Sequence, residues 1–352
     1  MEAASVPAAP AVPRQRLREF VARYGLVIVL LILPVAFAID DLSKDGNLSH
    51  LANNLKDGVS NGAIWALVAI GYTLVYGIVE LINFAHGEVF MIGSFSSASF
   101  FTTIGLTAAT GTIGLIFGLL ATLLVAMLAS GALNVMIERV AYRPLRNAPK
   151  LAPLITAVGF SFILQNVGLL WRGGSPQGIS DVIHSQHQLF TLLGVHVSNG
   201  DILSIGVTIP LLIGMTAFIA RSRLGKAMRA TAQDPEAARL MGINVDTTIS
   251  LTFLMGGMLA GAAGLIYALY QTTVWYFQGF TAGLVAFTAA VMGGIGNVRG
   301  AVLGGLIIGF IQQISDNRIG SAWTPAIVFG YLIIIMVFRP QGLIGEETRE
   351  AG

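Results

Sequence analysis

Glu80, Asn83, His86 and Glu88 fall within nine positions of one another, around the stretch "LINFAHGEVFMIGS" at 81–94. Carboxylates beside an imidazole could bind a proton or a sodium ion. Their surroundings make that chemistry expensive, because an apolar run precedes them at 59–79 and another follows at 95–106. A charged side chain at mid-bilayer costs about 2.5–3.5 kcal/mol on insertion scales. Two readings stay open. The segment 80–88 is the cytoplasmic turn of a helical hairpin, with its charges interfacial and ion-paired. Alternatively, His86 and Glu88, which lie inside the apolar pattern opening the next span, line a pathway or a helix interface. Gly87 and Gly93 would let a neighbouring helix approach closely.

Other chemistry-bearing residues are sparse. Gln165 and Asn166 place two amides inside one apolar span, where hydrogen bonding to another helix is expected. His184, His187 and His196 stand on one polar segment without acidic or thiolate help at ligand spacing, so no metal site is read there. There is no cysteine, and no catalytic triad is found. No G-x-x-x-x-G-K-[ST] phosphate loop occurs, since Gly225-Lys226 is followed by Ala and lacks the first Gly. The chain is expected to be no enzyme.

The elements that must position these groups are membrane helices. Of 352 residues, 55% are hydrophobic and 11% charged, with mean hydropathy +0.76. A soluble domain carries about 25% charged residues. Spans of roughly 20 apolar residues are expected near 24–39, 59–79, 86–106, 112–137, 153–171, 201–220, 247–270 and 322–338. A further stretch, 283–315, is broken by "GGIGNVRG". It is either two tilted spans or a re-entrant hairpin. Gly296, Gly300 and Gly304 follow one another at spacings of four, which permits close packing; an interrupted apolar segment also points to a binding site in transporters. The fold class is all-α and polytopic, with about 8–10 transmembrane helices.

Lysine and arginine set the orientation. The basic residues before the first span, in the 138–150 and 221–246 loops and after the last span total fifteen, against Lys44, Lys56, Arg172 and Arg318 on the other face, with Arg299 undecided. Both termini are therefore expected in the cytoplasm. "AFA" at 36–38 resembles a signal cleavage site, but a retained first helix is the expectation. The aromatic run "VWYFQGF" at 274–280 reads as an external interfacial anchor. Residues 1–23 form a cytoplasmic tail, Ala/Pro-rich and disordered at its start; 24–57 carry an extra helix and an external loop, 58–345 the transport domain, and 346–352 a C-terminal tail.

The longest internal polar segment is "RSRLGKAMRATAQDPEAARLMGINVD", 221–246. Asp234 can cap a short helix, with Pro235 at its first position and Glu236 in the dipole-favoured first turn. Ala237, Ala238, Leu240 and Met241 continue that helix, and Gly242 is placed to stop it. Glu236-Ala237-Ala238, three residues, then Gly242 matches the E-A-A-x-x-x-G core of the coupling loop of bacterial ABC import permeases; the usual I-x-L-P tail is absent.

With "GYTLVYGIVELINFAHGEVFMIGS", "ERVAYRPLR" and "AFTAAVMGGIGNVRGAVLGGLIIG" in chain order over about 51–345, the sequence resembles the LivH-type permeases of branched-chain amino acid ABC importers. The N-terminal 50 residues depart from that pattern. The resemblance implies a multi-pass protein of the bacterial inner membrane that assembles with a second homologous permease, two ATPase subunits and an external solute-binding protein. ATP and magnesium would be used by the ATPase subunits, and no cofactor would be bound by this chain. Lipid surrounds it, and no nucleic-acid partner is expected. The resemblance also implies that 221–246 docks on the ATPases, through Arg229, Asp234, Glu236, Ala237, Ala238 and Gly242. It tilts the "INFAHGE" block, with Asn83, His86, Gly87 and Glu88, toward helix packing near the translocation path; Gln165, Asn166, Gly296 and Gly300 are the further candidates for the path or its packing. An ion-coupled secondary transporter using Glu80, His86 or Glu88 is the alternative, and a channel the third. Leucine, isoleucine or valine is the implied solute, though relatives also carry other amino acids or urea-like amides.

Overall fold

The computed structural model describes residues 30–44, 46–146, 148–149, 151–192 and 194–345. The 1–23 tail, the opening of the 24–39 span, Lys150 and the 346–352 tail lie outside the described residues.

Helix α1 covers residues 30–44. After it come α2 (Ser49–Val79), α3 (His86–Thr103), α4 (Thr112–Ile137), α5 (Leu151–Arg172) and α6 (Asn199–Arg221). Two short helices, α7 (Arg223–Gln233) and α8 (Pro235–Leu240), lead to α9 (Val245–Gln271), α10 (Gln278–Gly293), α11 (Val298–Ser315) and α12 (Thr324–Phe338). Among the described residues six helices are long and apolar enough to cross a membrane, while α10 and α12 are shorter apolar helices.

Most spans fall within two residues of their sequence-read bounds. The exceptions have physical causes. α2 begins at Ser49 rather than 59, and the expected 40–57 loop contracts to a few residues. Its first turns, "SHLANNLKDG", are too polar to register as membrane-spanning, and they satisfy their charges by pairing. Lys56 meets Asp57 at 2.5 Å and Asp201 of α6 at 2.6 Å. At the other end of the α4 segment, Pro144 has no N–H to offer the carbonyl four residues back. There the helix widens into a π-turn over Glu138–Tyr142 and closes in a 3-10 turn over Arg143–Leu145.

α2 and α9 form the centre. The most apolar windows of α2 and α9 are 83% and 78% buried, against 17%, 22% and 11% for α4, α5 and α6, which therefore stand at the rim. Small residues set how closely the central helices approach. A Cβ at Gly305 of α11 would sit 2.6 Å from the Ala66 backbone of α2, and one at Gly309 would strike Gly58 and Gly62. No side chain fits between these helices.

The stretch 283–315 is an antiparallel pair. Its turn, Gly294–Asn297, is tied to the C-terminal segment by Asn297 Nδ2 donating to the Ile344 carbonyl at 2.9 Å. α11 ends beside the start of α2, where Asn317 donates to Asn54 at 2.5 Å and Arg318 pairs with Asp40 and Asp41. α10 thus leads to the basic end, and α11 returns from it to the end where α2 begins. Arg143, Arg146, Arg221 and Arg229 mark the basic end of the bundle. At the far end, two small antiparallel pairs cover the helices: β1 (Gln177–Gly178) with β4 (Thr273–Val274), and β2 (Gln188–Leu192) with β3 (Val195–Ser198).

Candidate functional site

The polar cluster of 80–88 is not simply the turn of a hairpin. Glu80 closes α2 in a left-handed conformation (φ 51°) and is exposed, as an interfacial residue would be. The chain then folds back alongside α2 without helix, so that His86 lies against Gly71. A Cβ at Gly71 would meet the imidazole Cε1 at 2.8 Å, and the Tyr72 ring packs edge-on at 4.7 Å. Gly71 lies eight residues from Val79, or about 12 Å of helix. α3 therefore starts inside the bundle.

Asn83 holds the returning segment. Its Nδ2 donates to Asn134 Oδ1 at 3.1 Å, Asn134 Nδ2 donates to the Phe253 carbonyl at 2.6 Å, and the Tyr142 hydroxyl donates to the Ile82 carbonyl at 3.1 Å. Asn83 thus ties the returning segment to α4, and Asn134 carries the link on to α9.

α10 also begins at this depth. A Cβ at Gly87 would run into the Gly279 carbonyl and stand 2.7 Å from the Gly283 Cα, and one at Gly279 would stand 2.9 Å from the Glu88 carboxyl carbon. Two helix N-termini meet around Glu88, and their dipoles favour a carboxylate there. Glu88 is fully buried. Its Oε1 accepts from Ser161 of α5 at 3.3 Å, whereas Oε2, both His86 nitrogens and Gln278 Nε2 lack a hydrogen-bond partner. Among the described residues neither His86 nor Glu88 has an ion-pair partner. The interfacial, ion-paired reading therefore holds for neither.

The remaining residues read from sequence are scattered. Gln165 is half-buried, and Asn166 is exposed, donating to the Phe162 carbonyl of its own helix at 2.8 Å. The expected inter-helix bond is not formed by Asn166, because α5 turns that side outward. Gly296 sits in the α10–α11 turn with φ 92°, and Gly300 lies directly on the Gly293 carbonyl. No group of three potential metal ligands comes together among the described residues.

At the basic end, the 221–246 segment folds as two helices rather than one. Ser222 Oγ accepts from the Gly225 N–H at 2.9 Å and starts α7; Arg229 Nη1 donates to the Ile219 carbonyl at 2.5 Å, stapling α7 back onto α6. Asp234 Oδ1 accepts from the Glu236 and Ala237 N–H groups at 2.9 Å each, capping α8. Gly242 ends the turn with φ 83°, and Asn244 Oδ1 caps α9 through the Thr247 N–H at 3.0 Å. Of α8 only Ala238 is buried, so it anchors the helix. Leu240 and Met241 are 89% and 82% exposed.

Sequence reasoning passed over that apolar pair as a site, although two large apolar residues closing a polar helix are its visible signal. It also missed an ion network beneath. Arg143 Nη2 pairs with Asp246 at 2.9 Å; Arg146 pairs with both Asp246 and the buried Glu138; Ser250 Oγ donates to Glu138 Oε2 at 2.7 Å. The start of α9, just after the loop, is thereby clamped to the end of α4.

Known proteins are similar to this chain in sequence. The family model described as "Branched-chain amino acid transport system / permease component" matches residues 54–337. The high-affinity branched-chain amino acid transport system permease protein BraD of Pseudomonas aeruginosa is 41% identical over 303 residues, 86% of this chain and 98% of BraD. LivH of Escherichia coli, a permease protein of the same description, is 38% identical over 304 residues, 86% of this chain and 97% of LivH. A probable LivH of Methanocaldococcus jannaschii is 28% identical over 310 residues, 84% of this chain and 93% of that protein. The chain is a multi-pass membrane protein belonging to the branched-chain amino acid transport permease family.

Proposed function

We propose that this chain is the membrane subunit of an ATP-driven ABC importer, with a branched-chain amino acid as its solute and the basic end in the cytoplasm. A second homologous permease completes the translocation path, two ATPase subunits hydrolyse ATP with magnesium, and an external solute-binding protein delivers the solute. The observation that carries the reading is α8. It is a six-residue helix, capped at both ends, anchored through Ala238 and projecting Leu240 and Met241 outward. A rigid projection with an apolar tip is suited to a groove on a motor subunit, where exposed side chains of that size would be buried. Asp234 and Gly242 fix its shape, Arg229 ties α7 to α6, and Glu236 faces the partner.

Closing of the ATPase pair would push α8. The push would pass through the Asn244 cap to α9 and, through Asp246 and Arg146, to α4. α9 also packs on α2 and α3, next to the junction of α3 with α10. In this reading His86 and Glu88 belong to the packing hinge of the path. The alternative, in which they carry coupling ions, is motivated by their unpartnered polar atoms.

Uptake by vesicles reconstituted with the whole complex separates the two. ATP without any ion gradient is expected to drive accumulation of labelled leucine. Transport that needs a proton or sodium gradient and ignores ATP would overturn the importer reading.

A further inference from the structure

We propose that the hollow between α6, α7 and the α10–α11 turn binds the headgroup of an anionic phospholipid, one of whose acyl chains lies along α6. The proposal rests on the cytoplasmic placement of the basic end argued above. The hollow holds about 610 Å³. Its walls include Ile219, Ala220, Ile295 and Val298, and among the described residues its charged lining is Arg229 and Arg299, with no carboxylate. Arg299 is exposed and has no acidic partner among the described residues. Arg229 uses one donor on the Ile219 carbonyl, of the five that a guanidinium carries. Asn297 caps the α11 N-terminus through the Arg299 and Gly300 N–H groups, so the donors offered to a ligand are the two arginine side chains rather than a bare helix end.

A second hollow of about 370 Å³ continues from the first through the shared Thr216 and Ala220, running over Leu212, Ile213 and Ala217 with Arg221 at its mouth. It is lined mainly by hydrocarbon. α6 is the least buried of the six long helices, and its exposed Ile209, Ile213 and Phe218 face outward. A soluble anion would account for the arginines but not for the apolar hollow beside them. A zwitterionic lipid would account for the hollow but not for two arginines that face no described carboxylate. An anionic phospholipid satisfies both, as basic pockets between membrane helices at the cytoplasmic face do elsewhere.

The test counts lipid. The intact complex, purified in mixed micelles of equal phosphatidylglycerol and phosphatidylcholine, is washed and its retained lipid quantified. Phosphatidylglycerol is expected to be retained several-fold over phosphatidylcholine. Arg299→Gln is expected to lower its retention roughly fivefold, the worth of one basic residue near a membrane surface, and Arg299→Lys to restore most of it. Ile213→Trp, which fills the second hollow, is expected to lower retention of phosphatidylglycerol as well. Equal retention of the two lipids, or unchanged retention in Arg299→Gln, would overturn the site. So would displacement by millimolar inorganic phosphate, which would identify a free-anion site. A second permease covering this face would also show itself as equal retention. Lipid counting needs no ATP hydrolysis, so a negative result beside intact ATP-driven uptake rejects this site alone, whereas lipid selectivity without ATP-driven uptake rejects the importer reading alone.

Discussion

Arg146→Gln tests whether the basic end is clamped as the ion network implies. Glu138 is fully buried, and the Arg146 side chain is 18% exposed. Removing the guanidinium leaves the Glu138 carboxylate with the Ser250 hydroxyl and no cation among the described residues. Breaking a buried pair in this way costs about 3–5 kcal/mol, mostly because one charge stays behind without its partner. Water reaches Arg146 from the Asp246 side, so the lower end, about 3 kcal/mol, is expected. Arg143 and Asp246 are 47% and 42% exposed, and their pair is a surface contact worth about 1 kcal/mol or less. Arg143→Gln is therefore the internal control. The double variant Arg146→Gln/Glu138→Gln removes both charges and should return to within about 1 kcal/mol of the parent. Reversible unfolding in mixed lipid–detergent micelles would measure all four proteins. If Arg143→Gln cost as much as Arg146→Gln, or the double variant were no better than the single, the network would not be the clamp described here.

Other perturbations separate packing from coupling. Leu240→Asp and Met241→Asp change exposed residues and should alter stability by no more than about 0.5 kcal/mol, yet lower ATP-driven uptake at least tenfold while ATP hydrolysis continues; unchanged uptake would remove α8 from the coupling path. Charge reversal at Glu236 and Gly242→Val should uncouple in the same assay, the latter also because a β-branched residue at φ 83° is strained by about 1–3 kcal/mol. Gly309→Val places a branched side chain against the Gly58 and Gly62 backbone and should destabilise the chain by about 3 kcal/mol, seen as loss of the folded, monodisperse protein. Glu88→Gln keeps shape and replaces a buried carboxyl group that no described cation balances, so uptake should stay within about threefold of the parent; complete loss of uptake would favour the ion-coupled alternative.

Much of this was legible in the sequence because membrane spans and helix caps are local. Apolar runs of the right length located the helices, and the Asp234-Pro235-Glu236 start with its Gly242 stop predicted α8 in outline. What could not be read was non-local. The Glu138–Arg146–Asp246 network joins residues about a hundred positions apart, and nothing in "ERVAYRPLR" says which carboxylate its arginines face. α7 was missed because its helical signal lies in a basic stretch that reads equally well as a positive-inside loop. The first turns of α2 were missed because hydropathy scores side chains singly, whereas Lys56, Asp57 and Asp201 become tolerable only as partners.

The same distinction explains why the block around His86 resisted a reading from residue types alone. Counting polar residues between two apolar runs makes 80–88 a loop, and a loop belongs at the surface. Small residues change that outcome. Gly71 opens α2 to the imidazole, while Gly87, Gly279 and Gly283 allow the starts of α3 and α10 to touch backbone to backbone. Neither α3 nor α10 needs to cross the whole bundle, since each starts where the other does. A full-length helix in place of either would put side chains where those backbones meet. The buried carboxyl group of Glu88 then sits where two helix N-termini meet, and their dipoles offset part of the cost of taking its negative oxygens out of water. Such broken helices near the middle of a membrane protein mark where transporters bind or gate solute. Filling the junction is therefore expected to block transport even where the fold survives. Gly279→Ala, whose added methyl meets the Glu88 side chain, combined with Glu88→Ala to restore room, should recover folding. If folded Gly279→Ala alone kept full uptake, the junction would be a packing contact and no part of the path.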